Sequence, residues 1–227
     1  RALKNQLAEQ MPNLRPAFSR PGFVTFKLDK PCTEPSKFQL NSPFARTFGF
    51  CLGKVSGDNQ DELARGVWSL PDVEEFLSTH AIDDLHVFPR ESSLPGDNDI
   101  EPGPTAETIA IEGALRSECP LEKLSPTVED PRSPSRRNRW VLDVVVVELG
   151  EWWVGCHRTN RRSDCWPGGV TRLELPEHAV SRAYLKMQEA LEWSALPMAT
   201  GDVCLELGCA PGGAFPDGTN DRAFIDS

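Results

Sequence analysis

No stretch of the 227-residue chain approaches the roughly 20 consecutive apolar residues of a membrane-spanning helix, and none has the pattern of a secretory signal. Cys-x-x-Cys pairs are absent. The seven cysteines, Cys32, Cys51, Cys119, Cys156, Cys165, Cys204 and Cys209, are odd in number and irregularly spaced. That disfavours a disulfide framework in a chain of this length and fits a reducing compartment, so a cytoplasmic protein is expected. Cys156, His157 and Cys165 come nearest to a metal-ligand set. Structural zinc motifs pair their ligands at short fixed spacing, however, and no fourth partner is evident, so no metal is expected. Basic residues are outnumbered: 24 Lys and Arg against 34 Asp and Glu give a net charge of −10. A protein that coats nucleic acid through nonspecific electrostatics needs the opposite balance. Internal repeats are also absent. What remains is an ordinary globular composition, 39 % hydrophobic and 26 % charged, enough for one large domain or two to three small ones.

The charge is unevenly distributed. Residues 1–131 carry −8, residues 187–227 carry −6, and residues 132–186 between them carry +4. Nearly all the cations of this middle stretch are arginines, whose planar fork suits bidentate phosphate contacts. Arg136, Arg137 and Arg139 form one cluster, Arg158, Arg161 and Arg162 a second, and Arg182 lies beyond them. Trp140, Trp152, Trp153 and Trp166 are interleaved, and aromatic faces stack on unpaired bases. An RNA-binding surface is one reading; a solvated loop face with its tryptophans in the core is the other.

Periodicity predicts a helix over residues 2–10, a Pro/Asn break, and strands over 22–28 and 45–52, an order that suits a small α+β sandwich lacking its first strand. Short helices are expected over 61–69 and 71–80, a strand over 85–88 and a helix over 105–117, with Pro-rich loops at 90–104 and 120–138. The β-branched run Trp140–Leu149 reads as a central strand that turns at Gly150 into a partner strand over 152–156. After the Pro167–Gly169 turn, a helix is expected from Ser181, a plausible N-cap, to Trp193. Its apolar stripe is Ala183, Tyr184, Met187, Ala190 and Leu191, with Lys186 at the margin. A strand over 203–207 then runs into Gly208-Cys-Ala-Pro-Gly-Gly213.

A hydrophobic strand that ends in an acidic residue and a Gly/Pro-rich turn lets backbone approach a nucleotide-like ligand without Cβ interference. No Gly-Lys-Ser/Thr follows, and the pattern departs from GxGxxG, so neither a Walker loop nor a dinucleotide fingerprint is present. Glu206-Leu-Gly-Cys-Ala-Pro-Gly-Gly213 resembles motif I of the FtsJ-type S-adenosylmethionine-dependent RNA ribose methyltransferases. Ser181-Arg-Ala-Tyr-Leu-Lys186 is similar to the Ser-Arg-x-x-x-Lys segment of that family. Gly150-Glu-Trp-Trp-Val-Gly-Cys156 and Trp166-Pro-Gly-Gly-Val-Thr-Arg-Leu-Glu-Leu-Pro176 extend the likeness to its RlmM-like branch, which acts on large-subunit ribosomal RNA.

The resemblance implies an α+β N-terminal region followed by the beginning of an α/β Rossmann-like methyltransferase domain. Residues 1–56 would be a ferredoxin-like segment, 57–160 a THUMP-like RNA-binding domain, and 161–227 the start of the catalytic domain. It implies S-adenosylmethionine as cofactor, held by Glu206, Gly208, Cys209, Ala210, Pro211, Gly212 and Gly213. Lys186 would act on the ribose 2′-hydroxyl, orienting or deprotonating it for attack on the methyl carbon. Ribosomal RNA is the expected partner, with no membrane and no DNA. Only fourteen residues follow Gly213, and the other members of the family's catalytic set have no counterpart there. With Arg1 in place of an initiating Met, this leads to the expectation of an incomplete chain. The alternative is a non-catalytic RNA-binding module with an inert methyltransferase remnant. A thiol enzyme using Cys209 or Cys156 is a third reading, but neither cysteine has an evident base beside it.

Overall fold

The computed structural model describes residues 1–32, 34–91, 103–120, 134–171, 173, 175, 183–194 and 196–197. The chain divides into two compact units, Arg1–Val170 and Thr171–Ser227. The first unit opens with α1 (Ala2–Gln10), which buries Leu7, and continues into the antiparallel hairpin β1 (Leu14–Arg20) and β2 (Phe23–Leu28). Gly22 makes the turn at φ 73°, with the Glu91 backbone packed where a Cβ would stand. Sequence periodicity identifies β2 but passes over β1, because Pro16 interrupts it. The ladder shifts register between Pro16 and Phe18, and a two-stranded hairpin leaves each strand a free edge where a missing N–H costs little.

The next strand, β3 (Phe50–Ser56), lies about five residues beyond its predicted position and belongs to a different sheet. It pairs antiparallel with β6 (Glu151–Arg158), across a bulge between Cys51 and Gly53. β6 pairs in turn with β5 (Trp140–Glu148) as the expected hairpin, and β5 lies parallel to β4 (Ile82–Pro89). The result is a mixed four-stranded sheet in the order β3-β6-β5-β4. It takes in a strand that the sequence alone assigns to the segment before residue 57.

Three helices cover one face of this sheet. In α2 (Gln60–Trp68) the Asn59 side chain accepts from the backbone N–H groups of Asp61 and Glu62, and the acidic first turn suits the helix dipole. α3 (Pro71–Thr79) starts on proline, and α4 (Ala106–Glu118) on a Thr105/Thr108 capping box. Leu63, Val67, Val73, Ile111 and Leu115 meet Leu85, Val87, Leu142, Val144, Trp152 and Val154 in one apolar core. The indole N–H of Trp68 donates to the Leu115 carbonyl at 3.0 Å and ties α2 to α4.

Strand alternation turns His86, Asp143, Val145, Trp153 and His157 to the other face. Trp153 packs there against Phe18 and Phe23 of the hairpin in tilted arrangements, with its ring centroid 4.9 and 5.6 Å from theirs. Between this face, α1, the hairpin and residues 38–51 lies a cleft of about 770 Å³, lined largely by Leu and Phe side chains. In the second unit, α5 (Ala183–Ser194) falls within a residue or two of its predicted span. Its N-cap candidate Ser181 and the strand and glycine loop expected over 203–213 lie outside the described residues. Among the described residues no helix is long and apolar enough to cross a membrane.

Candidate nucleic-acid interface

β5 begins and β6 ends on the same side of the sheet, since Trp140 pairs with Arg158. The segments that flank them, residues 134–139 and 158–162, therefore run together. Thr159 is the joint. Its backbone N–H donates to the Arg139 carbonyl (2.9 Å) and its carbonyl accepts from Asn138 N–H (2.7 Å). Its hydroxyl accepts from Arg139 N–H (2.9 Å) and donates to the Arg136 carbonyl (2.6 Å). Asn138 takes φ 59°, a left-handed conformation that Asn tolerates, and so closes the turn into β5.

This joint gathers six of the seven arginines singled out from the sequence. Arg136 is ion-paired with Asp83, and Arg137 donates to the Asn160 carbonyl at 2.9 Å. Arg161 pairs with Asp164 (3.2 Å) and places its guanidinium 5.9 Å from the Phe48 ring. Arg136, Arg137, Arg139 and Arg162 are exposed, and Arg158 and Arg161 half-buried. The seventh, Arg182, lies outside the described residues, as do Glu206 and residues 208–213. Lys186 stands exposed on α5, while Tyr184, Met187 and Leu191 of the expected stripe are half-buried.

The tryptophans do not form the stacking platform that their interleaving suggests. Trp152 is fully buried, Trp153 is enclosed by Phe18 and Phe23, and Trp140 packs edge-on to Phe76 and His80. Trp166 is half-buried. The cysteines nearest the basic segment are poor nucleophiles. Burial pushes the Cys165 thiol up to about 11, and burial with the nearby Asp143 raises that of Cys156 further.

The chain is similar to ribosomal RNA large subunit methyltransferase M. It is 30 % identical over 159 residues to the protein of that name from Cellvibrio japonicus, an overlap of 60 % of this chain and 44 % of the relative. The protein of that name from Teredinibacter turnerae is 28 % identical over 147 residues, 54 % of this chain and 41 % of its own length. The one from Alkalilimnicola ehrlichii is 43 % identical over 84 residues, 34 % of this chain and 22 % of its own. The chain thus spans less than half the length of these curated relatives. No family model matches it.

Beneath the arginines lies a buried polar group that sequence reasoning does not single out. His157 on β6 donates from Nδ1 to Asp143 Oδ2 (2.6 Å) and from Nε2 to the Asp164 carbonyl (2.8 Å). His86 on β4 faces the Ser135 hydroxyl through Nε2 (2.8 Å), and Ser135 donates onward to Asp84 Oδ2 (3.0 Å). Arg116 of α4 closes the chain on Asp84 Oδ1 at 2.6 Å. Burial outweighs the Asp143 carboxylate at His86 and lowers its pKa to about 3. At His157 burial acts the same way, but Asp143 and the Asp164 carbonyl overcome it and raise the pKa to about 9. One signal was legible: Asp143 is the only polar residue between Trp140 and Val147, and a carboxylate inside a buried strand requires a partner.

Proposed function

We propose that this chain is the RNA-recognising part, with the beginning of the catalytic domain, of an S-adenosylmethionine-dependent methyltransferase of large-subunit ribosomal RNA. The observation that carries the reading is the convergence of six arginines on the Thr159 joint, in a chain similar to proteins named for that activity. Residues 57–160 form the THUMP-like RNA-binding part, with β3 joined to it by pairing, and residues 1–56 otherwise the ferredoxin-like segment. Residues 161–227 begin the Rossmann-like domain. Glu206 and residues 208–213 hold the methionine end of S-adenosylmethionine, which supplies the methyl group when bound. Lys186 orients or deprotonates the ribose 2′-hydroxyl.

The acidic balance of the whole chain is compatible with this because phosphate contacts depend on local charge. Asp83 and Asp164 each offset one arginine, so the interface positions phosphates rather than coating them. In the complete protein, Lys186→Ala should abolish methyl transfer while S-adenosylmethionine binding persists. Replacing Arg137, Arg139 and Arg158 together with alanine should weaken RNA binding and flatten its dependence on salt. Methyl transfer undiminished in the Lys186 variant would refute the assigned role. RNA binding without salt dependence would refute the interface. A complete protein that binds RNA but not S-adenosylmethionine would leave the RNA-binding module with an inert remnant.

A further inference from the structure

β4, β5 and β6 are adjacent strands, and their register sets His86 beside Asp143, with His157 one pair further along the same face. The three side chains are at most 8 % exposed, and one donor atom from each lies within 4.8 Å of the others. The orientation of the two rings is what matters. Each histidine turns Nδ1 inward, toward Asp143, and Nε2 outward, to an anchor. For His157 the anchor is the Asp164 carbonyl; for His86 it is the Ser135 hydroxyl, itself backed by Asp84 and Arg116. An imidazole held by its distal N–H to a carbonyl or a carboxylate-backed hydroxyl, with its other nitrogen converging on a carboxylate, is the arrangement that supports a metal-bound histidine.

The proton count leaves a gap at the centre. Ser135 gives its proton to Asp84, so it accepts from His86 Nε2–H, and His86 Nδ1 carries a lone pair. That lone pair faces Asp143 Oδ1 across 3.9 Å. Both atoms are buried and neither has a hydrogen-bond partner. Two acceptors turned toward each other without a donor or cation between them are unfavourable in a buried site.

From this geometry we propose that His86, Asp143 and His157 form a binding site for a divalent transition metal, zinc by its donor set. Two imidazole nitrogens and one carboxylate oxygen suit zinc and its neighbours and disfavour calcium and magnesium. Donors about 2.0–2.1 Å from a tetrahedral zinc lie about 3.3 Å from one another. The 3.9 Å pair needs to close slightly to reach that spacing, and the 2.6 Å His157–Asp143 pair to open, as the ion replaces the proton between them. Asp143 also lines the 770 Å³ cleft, and Gly49 borders it there with no side chain, since a Cβ would lie 3.0 Å from Asp143 Oδ2. A fourth ligand, water, enters from that side. The ion would join three strands to the two arginine-bearing segments, through Ser135 on one and Asp164 on the other.

The test uses the 227-residue chain, reduced and stripped with chelator, and titrates it calorimetrically with Zn²⁺ and spectroscopically with Co²⁺. One Zn²⁺ should bind per chain and release one proton, seen as a buffer-dependent heat. Co²⁺ should give the bands of a four-coordinate site without thiolate charge transfer. His86→Gln should weaken Zn²⁺ binding at least 100-fold. Ser135→Ala, which leaves all three ligands in place, should weaken it about 10- to 100-fold. If His86→Gln fails to fold, as judged by circular dichroism, Ser135→Ala decides alone. Absence of stoichiometric binding, full affinity in the folded variants, or a thiolate–cobalt band would overturn the proposal. In that case water fills the gap, or the cysteines hold the ion. Neither result depends on RNA or on methyl transfer.

Discussion

Thr159 shows how much of the proposed interface would rest on a residue with no exposed surface of its own. Its hydroxyl and backbone hydrogen-bond Arg136, Asn138 and Arg139 of the turn, and the side chain is wholly buried. Thr159→Val keeps the shape and removes the hydroxyl, leaving Arg139 N–H without its buried acceptor. This should cost about 1–3 kcal/mol of stability in urea unfolding. It should also weaken RNA binding although no charge has changed; unchanged affinity would show that the turn holds itself. The arginines were legible as a run of letters. The threonine was not, because a hydroxyl declares its role only when its partners, twenty or more residues away, are in place. The same holds for His86 and Asp143, which lie 57 residues apart in the chain and face each other across one strand register.

At the scale of elements, legibility follows locality. α2, α3 and α4 carry their own stop and start signals in Asn59, Pro71 and Thr105, and the β5–β6 hairpin closes across a two-residue turn, so all four are predictable from short windows. β1 and β3 are not. Pro16 hides the first, while Gly53 and Lys54 dilute the second, which forms because β6 offers it a ladder. Energetics should sort the same way. Asn59→Ala removes a local cap and should cost about 1 kcal/mol. Leu115→Ala opens a void where α4, α2 and the sheet meet, and should cost about 2–5 kcal/mol. Midpoints of urea denaturation should rank the variants in that order, and a cap variant as damaging as the core variant would contradict it.

For the molecule as a whole, the net charge of −10 conceals an uneven distribution. Folding does not dilute the basic stretch: it brings the two arginine clusters to one end of the sheet and sets two aspartates among them. The sheet order has a consequence for the birth of the protein. Phe50 pairs with Cys156, so β3 leaves the ribosome well before β6, its one neighbour among the described residues, has been made. At ~5–20 residues per second the delay is roughly 5–20 s, during which β3 offers a bare strand edge to any other chain. A polypeptide ending at residue 149 should therefore stay unfolded or aggregate, whereas one ending at Val170 should give a dispersed amide spectrum and elute as a folded species. Nascent chains would then be at greatest risk of misassembly from the completion of β3 until β6 emerges, and a slower passage through the codons for β6 would lengthen the exposure.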